Sequence, residues 1–268
     1  MCWNTCTNSN KKDKMEISPE KQIYFLSDFH LGAPNHAQSL IREKKLVAFL
    51  DSIKDKAAEI FIVGDIFDFW FEYKTVVPKG FTRLFGKLAE LSDSGIPIHV
   101  FVGNHDMWMR GYFKEEFNIP VYFEPEVIER AGKRIFIGHG DGLGPGDHGF
   151  KFIKKIFRSP ICQWLFGNLL HPNWAIGLAN FFSRKSREKT GDADANFLGE
   201  ENEWLIIFSK DYLKKDSVDY FIFGHRHYPI KLELPGGAYY VNLGDWIRNF
   251  TYASFDGQSL NLHKWESS

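Results

Sequence analysis

Five short polar clusters interrupt an otherwise apolar pattern: Ser27-Asp28-Phe29-His30, Gly64-Asp65, Gly103-Asn104-His105-Asp106, Gly138-His139-Gly140-Asp141 and Gly224-His225-Arg226-His227. Their donors are carboxylates, an amide oxygen and imidazoles, with no thiolate. That mixture suits manganese, iron(II) or zinc; magnesium partners imidazole poorly, and structural zinc sites favour cysteine. The candidate ligands are Asp28, His30, Asp65, Asn104, His139, His225 and His227. That is too many for a single ion that keeps solvent, whereas two ions sharing one carboxylate can use them all. Asp65, alone in its cluster, is the expected bridge. Two ions about 3.5–4 Å apart clamp the attacking and leaving oxygens of an in-line displacement and acidify a shared water. The expected chemistry is phosphoester hydrolysis.

A lone histidine is more often a satisfied core residue than a ligand. What distinguishes these clusters is their common context, since each follows a short apolar run. The runs 23–26, 60–63, 98–102, 134–137 and 220–223 read as buried strands, each ending at a cluster. Loops at the carboxyl ends of strands line the ligand crevice of open α/β sheets, so clusters remote in sequence are expected to meet. Glycine ahead of the polar residue admits a sharp turn and a close approach. Asp28/His30 and His225/His227, spaced i and i+2, are expected to point the same way from extended segments, which turns Arg226 away.

Helical spacing covers 37–53, 81–91 and 205–213, and 127–130 pairs with 134–137 as a hairpin. The runs 230–234, 239–243, 252–255 and 260–264 read as successive short antiparallel strands. This order predicts an α/β sandwich of mixed β-sheets flanked by helices. Residues 142–199 break the pattern with aromatic, basic, helix-like sequence and read as an inserted helical cap. The expected organisation is a disordered tail over 1–20, a core over 21–141, the cap, and the rest of the core over 200–268.

The chain has 268 residues, 44% of them hydrophobic, with a formal net charge of −1. A core of this size needs no structural metal, so an ion here is expected to be catalytic. The balanced charge gives no general attraction to nucleic acid, and none is expected as a partner. Cys2, Cys6 and Cys162 cannot all pair, which points to a reducing compartment. Residues 2–14 lack the apolar run of a secretory leader, and no apolar run is long enough to span a bilayer, so a cytoplasmic location is expected.

Taken together, Asp28-x-His30, Gly64-Asp65, Gly103-Asn104-His105-Asp106, Gly138-His139 and Gly224-His225-x-His227 resemble the full motif series of the calcineurin-like metallophosphoesterases. The resemblance runs from about Gln22 to Asp245 and implies that family's sandwich fold. It implies Asp28, His30, Asp65 and His227 on one ion, and Asp65, Asn104, His139 and His225 on the other, usually manganese. It also implies that His105 stabilises or protonates the leaving oxygen, oriented by Asp68, a pairing that fits general acid catalysis. Asn104 belongs to the same catalytic group.

Within that superfamily the chain most resembles the UDP-2,3-diacylglucosamine pyrophosphatases of lipid A biosynthesis. Ser27-Asp28-Phe29-His30-Leu31-Gly32, Gly64 to Trp70, His139-Gly140-Asp141-Gly142-Leu143 with Asp147, and a helical insert containing Gln163-Trp164-Leu165-Phe166 carry the likeness. It implies attack by an activated hydroxide on the phosphorus next to uridine, giving UMP and an acylated sugar 1-phosphate. Asp147, Trp164 and the basic stretch Arg184, Lys185, Ser186, Arg187 and Lys189 are the expected substrate contacts. The apolar cap with basic flanks suits a UDP-linked acylated sugar lipid and peripheral contact with the cytoplasmic face of the inner membrane. His105 is a departure, because this branch commonly carries Arg after the metal-binding Asn. Other phosphoesterase readings remain. A small-nucleotide phosphodiesterase would not need the cap. A protein phosphatase would carry Arg where Phe69 stands, and a nuclease would show a basic track. A non-catalytic scaffold would have lost ligands, and here every ligand position is filled. Asp141 is a candidate partner behind His139, whereas His36, His99, His171 and His263 match no motif.

Overall fold

The computed structural model describes residues 17–146, 148–174, 176–178 and 196–266. One sheet contains β1 (Gln22–Leu26), β2 (Ala57–Val63), β3 (Ile98–Phe101), β4 (Val121–Tyr122), β10 (Thr251–Phe255) and β11 (Leu260–Lys264), in the order β11-β10-β1-β2-β3-β4. The other holds β5 (Glu126–Arg130), β6 (Lys133–Ile137), β7 (Tyr220–Phe223), β8 (Ile230–Glu233) and β9 (Tyr239–Asn242), in the order β5-β6-β7-β9-β8. Neighbours β1 to β4 run parallel, as do β6, β7 and β9; β5, β8, β10 and β11 pair antiparallel. The expected run of late antiparallel strands is thus corrected. Its first two strands join one sheet and its last two the other, and β9 lies parallel to β7.

The strands read as continuous apolar runs because both faces are covered. Ile23, Phe25, Phe61, Val63 and Phe101 meet Ile135, Ile137, Ile222 and Val241 between the sheets. The alternate residues Tyr24, Leu26, Ile60, Ile62, Ile98 and Val100 face outward onto α1 (His36–Ile53), α2 (Thr82–Asp93) and α3 (Tyr112–Phe117). On the far side Phe136, Phe221, Phe223 and Tyr240 pack against Leu205 and Ile206 of the helix Trp204–Leu213. The result is a four-layer sandwich of helices, sheet, sheet and helix. The short elements α3 and β4 went unread in the sequence, being too brief for a periodic signal.

The insert begins with α4 (His148–Phe157) and α5 (Pro160–Leu169), joined to the core where Phe166 meets Phe71 and Trp108. Asp147, Arg184, Lys185, Ser186, Arg187 and Lys189 lie outside the described residues, as do 1–16 of the expected tail. Ile17 packs on the inter-sheet core, and Lys21 N–H closes a turn on the Ser18 carbonyl. No helix among the described residues is long and apolar enough to cross a membrane.

One ion pair bridges the sheets. Glu59 of β2 is buried and takes Arg130 of β5 through both oxygens at 2.7 and 2.8 Å, with His99 Nε2 at 2.8 Å. Burial would raise its pKa, but Arg130 and His99 reverse that and hold it below the usual 4.5. Its contribution is therefore complete above the unfolded value and is lost as pH falls through the lower folded value. Glu59→Gln is expected to cost about 3 kcal/mol at pH 7, as for a broken buried pair. Chemical denaturation should show the gap from wild type narrowing in acid; an equal gap at both pH values would contradict this account.

Candidate metal centre

Every polar cluster sits at the carboxyl end of a strand, and the ends of β1, β2 and β3 face those of β6, β7 and β9 across the sandwich. The loops are built from strained backbone. Nine non-glycine residues among those described have positive φ, and five of them are Asp28, His30, Asp65, His225 and His227. The i and i+2 pairs therefore converge from left-handed turns, which corrects the extended geometry expected for them. Such conformations cost roughly 1–3 kcal/mol each and persist only where surroundings over-determine them. Here Asp28 N–H and His30 N–H donate to the carbonyls of Gly64 (3.1 Å) and Asp65 (2.9 Å), and Trp246 N–H donates to the Asp28 carbonyl at 3.1 Å. Buried Arg42 donates to the carbonyls of His30 and Ala33 at 2.6 and 2.5 Å. Gly64 has φ +86°, and a Cβ there would strike the His139 ring; one on Gly224 would strike Ser27 Oγ and the Asp28 carboxylate.

The side chains meet in two overlapping groups. His227 Nε2 lies 3.2 Å from both Asp28 Oδ1 and His30 Nε2, and His30 Nε2 lies 3.5 Å from Asp65 Oδ2. On the other side of Asp65, its Oδ2 is 3.3 Å from His139 Nε2. Asn104 Oδ1 lies 3.1 Å from that same nitrogen and 3.0 Å from His225 Nδ1. Asp65 Oδ1 accepts the His105 backbone N–H at 2.9 Å, which leaves Oδ2 directed between the groups. All seven candidate ligands are thus brought together. Asp28, His30 and His227 offer ligand atoms within 4.8 Å of one another, as do Asp28, Asp65 and His139.

The donor set fits a divalent cation. Asp28 Oδ1 is buried with no hydrogen-bond partner among the described residues, beside imidazole nitrogens that could equally accept a positive charge. Burial would raise the Asp28 and Asp65 carboxyls. The surrounding imidazoles, chiefly His227 on Asp28 and His139 on Asp65, hold both well below the usual range instead. Burial would lower His227, yet Asp28 and Asp245 push it up to about 10.

The ligand atoms are oriented from behind. His139 Nδ1 donates to the Val63 carbonyl at 2.9 Å, which turns Nε2 inward. Asp141, expected in that role, pairs instead with Lys154 Nζ at 2.5 Å. His227 Nδ1 faces Asp245 Oδ2 at 3.4 Å. Asp245 is itself fixed by the backbone N–H groups of Ile247, Arg248 and Asn249 at 2.9, 2.7 and 3.1 Å. Sequence reading missed Asp245, although Gly244-Asp245 after the β9 run carries the same strand-end signal as Gly64-Asp65. Arg226 points away from the cluster, as expected, into a buried pair with Glu203 at 3.0 Å, its guanidinium over the Trp204 ring.

His105 and Asp68 are adjacent but joined differently from the expectation. His105 Nδ1 bonds the Asp68 backbone carbonyl at 3.0 Å. The Asp68 carboxylate stands farther off, 3.8 Å from that nitrogen and 3.7 Å from His30 Nδ1. Burial lowers His105 to about 4, against the pull of Asp65. Asp106 is an organiser that the motif contained but whose role was unread. Its carboxylate takes the N–H groups of Gly103 and Ile66 at 2.7 Å each, tying the Asn104 loop to the Asp65 loop. Trp164 is largely exposed on α5, and Asn173 is exposed beyond it. Among the unmatched histidines, His99 bonds Glu59 and Tyr122, His263 bonds Ser254, and His36 and His171 lie on the surface.

Carboxylates, an amide and imidazoles gathered at the strand ends of such a sandwich define a metal-dependent phosphoesterase site. The model of the calcineurin-like phosphoesterase family matches residues 21–229, and the chain belongs to that family. It is a metal-dependent hydrolase. A protein of Porphyromonas gingivalis named UDP-2,3-diacylglucosamine hydrolase is 40% identical over 258 residues, covering 91% of this chain and 98% of its own. The Edwardsiella ictaluri protein of the same name is 26% identical, covering 89% of this chain and 90% of its own. Among solved structures, Chaetomium thermophilum Vps29 is 14% identical with a TM-score of 0.46, covering 91% of this chain and 86% of its own.

Proposed function

We propose that the chain hydrolyses the pyrophosphate bond of UDP-2,3-diacylglucosamine with one water, giving UMP and 2,3-diacylglucosamine 1-phosphate, a step of lipid A biosynthesis. The observation that carries this reading is Asp65 Oδ2, between His30 Nε2 at 3.5 Å and His139 Nε2 at 3.3 Å. It occurs in a chain 40% identical to a UDP-2,3-diacylglucosamine hydrolase. Two manganese ions are the proposed cofactor, one held by Asp28, His30, Asp65 and His227, the other by Asp65, Asn104, His139 and His225. When bound, such ions acidify water and neutralise charge on phosphate oxygens.

The chain's own groups supply orientation. Val63 and Asp245 fix the ring nitrogens of His139 and His227, and the His105 N–H fixes the Asp65 carboxylate. His105 Nδ1–H donates a hydrogen bond to the Asp68 carbonyl, which leaves Nε2 to exchange a proton with the leaving oxygen. A low pKa in the free protein rises when a diphosphate arrives alongside, which favours the acid form.

The cap, residues 142–199, is proposed to receive the acyl chains at the cytoplasmic face of the inner membrane. Phe152, Ile161, Trp164, Leu169 and Trp174 all leave most of their surface exposed, an apolar area beyond what a solvated lid needs. Each methylene buried there contributes about 0.8 kcal/mol. With manganese present, UMP release should show a kcat/KM at least about 100-fold higher from the diacyl substrate than from its deacylated analogue. Equal values would remove the lipid reading, and no UMP from either would remove the proposed reaction.

A further inference from the structure

The basic side of α4 borders the His139 loop, where Lys154 reaches Asp141 and Lys155 stays exposed. Lys151, Lys154, Lys155 and Arg158 follow at i, i+3, i+4 and i+7, and all four line a cavity of about 350 Å³ beside His139. Phe152 and Ile156 of the same helix are 65% and 39% exposed. A helix docked for stability alone would bury its apolar stripe and leave its cations in water. Here Phe157 packs on Trp108 while Lys151 is drawn in by the Gly144 carbonyl at 2.6 Å, and the exposed Lys155 leaves the cavity a cation that an anion can reach.

The lining also holds aromatic and apolar groups, Tyr122, Phe123 and Pro125 before β5 and Leu143 beyond the His139 loop, with Arg158 donating to the Phe123 carbonyl at 2.7 Å. The Phe123 ring is 43% exposed, open to stacking. Lys154 pairs with Asp141 and Arg158 with Glu124, so the four cations meet two carboxylates and leave an excess of positive charge. An acyl chain would meet unfavourable neighbours here, because those charges would lose water without gaining partners. Among the described residues of the insert, Phe157 packs on Trp108, and Phe166 on Phe71 and Trp108. A flat, stackable group joined to a phosphate suits this mixed aromatic and basic lining, and the size falls in the range of small-ligand sites.

We propose that this cavity binds the uridine monophosphate half of the substrate, with the uracil against Phe123 and the phosphate between His139 and the α4 cations. The assignment rests on the proposed reaction. It places the nucleotide on the Asn104/His139 side of the centre and the lipid on the Trp108/Phe166 side.

The test is titration calorimetry of UMP and of inorganic phosphate into the full chain loaded with manganese. Phe123→Ala should weaken UMP about tenfold, the loss of one stacking contact, and phosphate by less than twofold. Phe123→Trp should restore UMP affinity, and Lys155→Glu should weaken both ligands. Circular dichroism would verify that each variant is folded. Unchanged UMP affinity in Phe123→Ala, or no UMP binding by the wild type at millimolar concentration, would overturn the assignment. UMP binding without UMP release from the diacyl substrate would instead overturn the reaction and leave the cavity standing. UMP release together with an unaffected Phe123→Ala would overturn the cavity alone.

Discussion

Asp65→Ala is expected to lower kcat by at least about 1,000-fold, a loss of roughly 4 kcal/mol of transition-state stabilisation. The expectation follows from the position of one oxygen. Asp65 Oδ2 stands between His30 and His139, with His227 beside the first and Asn104 beside the second. Removing it therefore affects both halves of the centre, and charge neutralisation on the phosphate should fail with it. Asp65 also accepts the His105 backbone N–H, so the loop that carries this imidazole loses one of its anchors. The fold should survive, because the surrounding loops remain tied by Asp106 to Ile66 and Gly103. Turnover with the diacyl substrate and a thermal melt measure the two effects. Activity within tenfold of wild type in a folded variant would contradict the bridging role.

Stripping divalent ions with a chelator should abolish turnover, and adding manganese should restore it. The same treatment should lower the melting temperature, because an ion that binds only the folded chain stabilises it by mass action. At a free concentration 100 times the dissociation constant that effect is about 2.7 kcal/mol. The physical basis is the crowding of buried acceptors. Asp28 Oδ1, with no hydrogen-bond partner among the described residues, sits among imidazoles whose back nitrogens are already turned to Val63 and Asp245. A metal-free chain meets that unsatisfied arrangement only by drawing protons or water into the cluster. Full activity after exhaustive chelation, with metal absent by elemental analysis, would refute the metal-centre reading.

The largest part of the centre was legible because its signal is local. A buried apolar run that ends in glycine and then an acid, amide or imidazole marks a strand end, and repetition of that mark made coincidence improbable. Asp245 carried the same mark and could have been found by it. Trp164 illustrates the opposite case. Its aromatic character was plain, but whether an aromatic in an insert packs on the core or faces outward depends on neighbours remote in sequence. Phe166, two residues on, packs inward while Trp164 stays exposed.

Composition and short-range pattern by themselves determined the layered fold, the strand ends and which donors were available, since periodicity and turn chemistry act over a few residues. Only tertiary structure decided the left-handed backbone at Asp28 and His225, the pairing of late strands between two sheets, and the replacement of Asp141 by the Val63 carbonyl behind His139. Those outcomes arise from contacts between segments far apart along the chain. Their energies depend on which loops come within hydrogen-bonding distance, a quantity that no local window of residues contains.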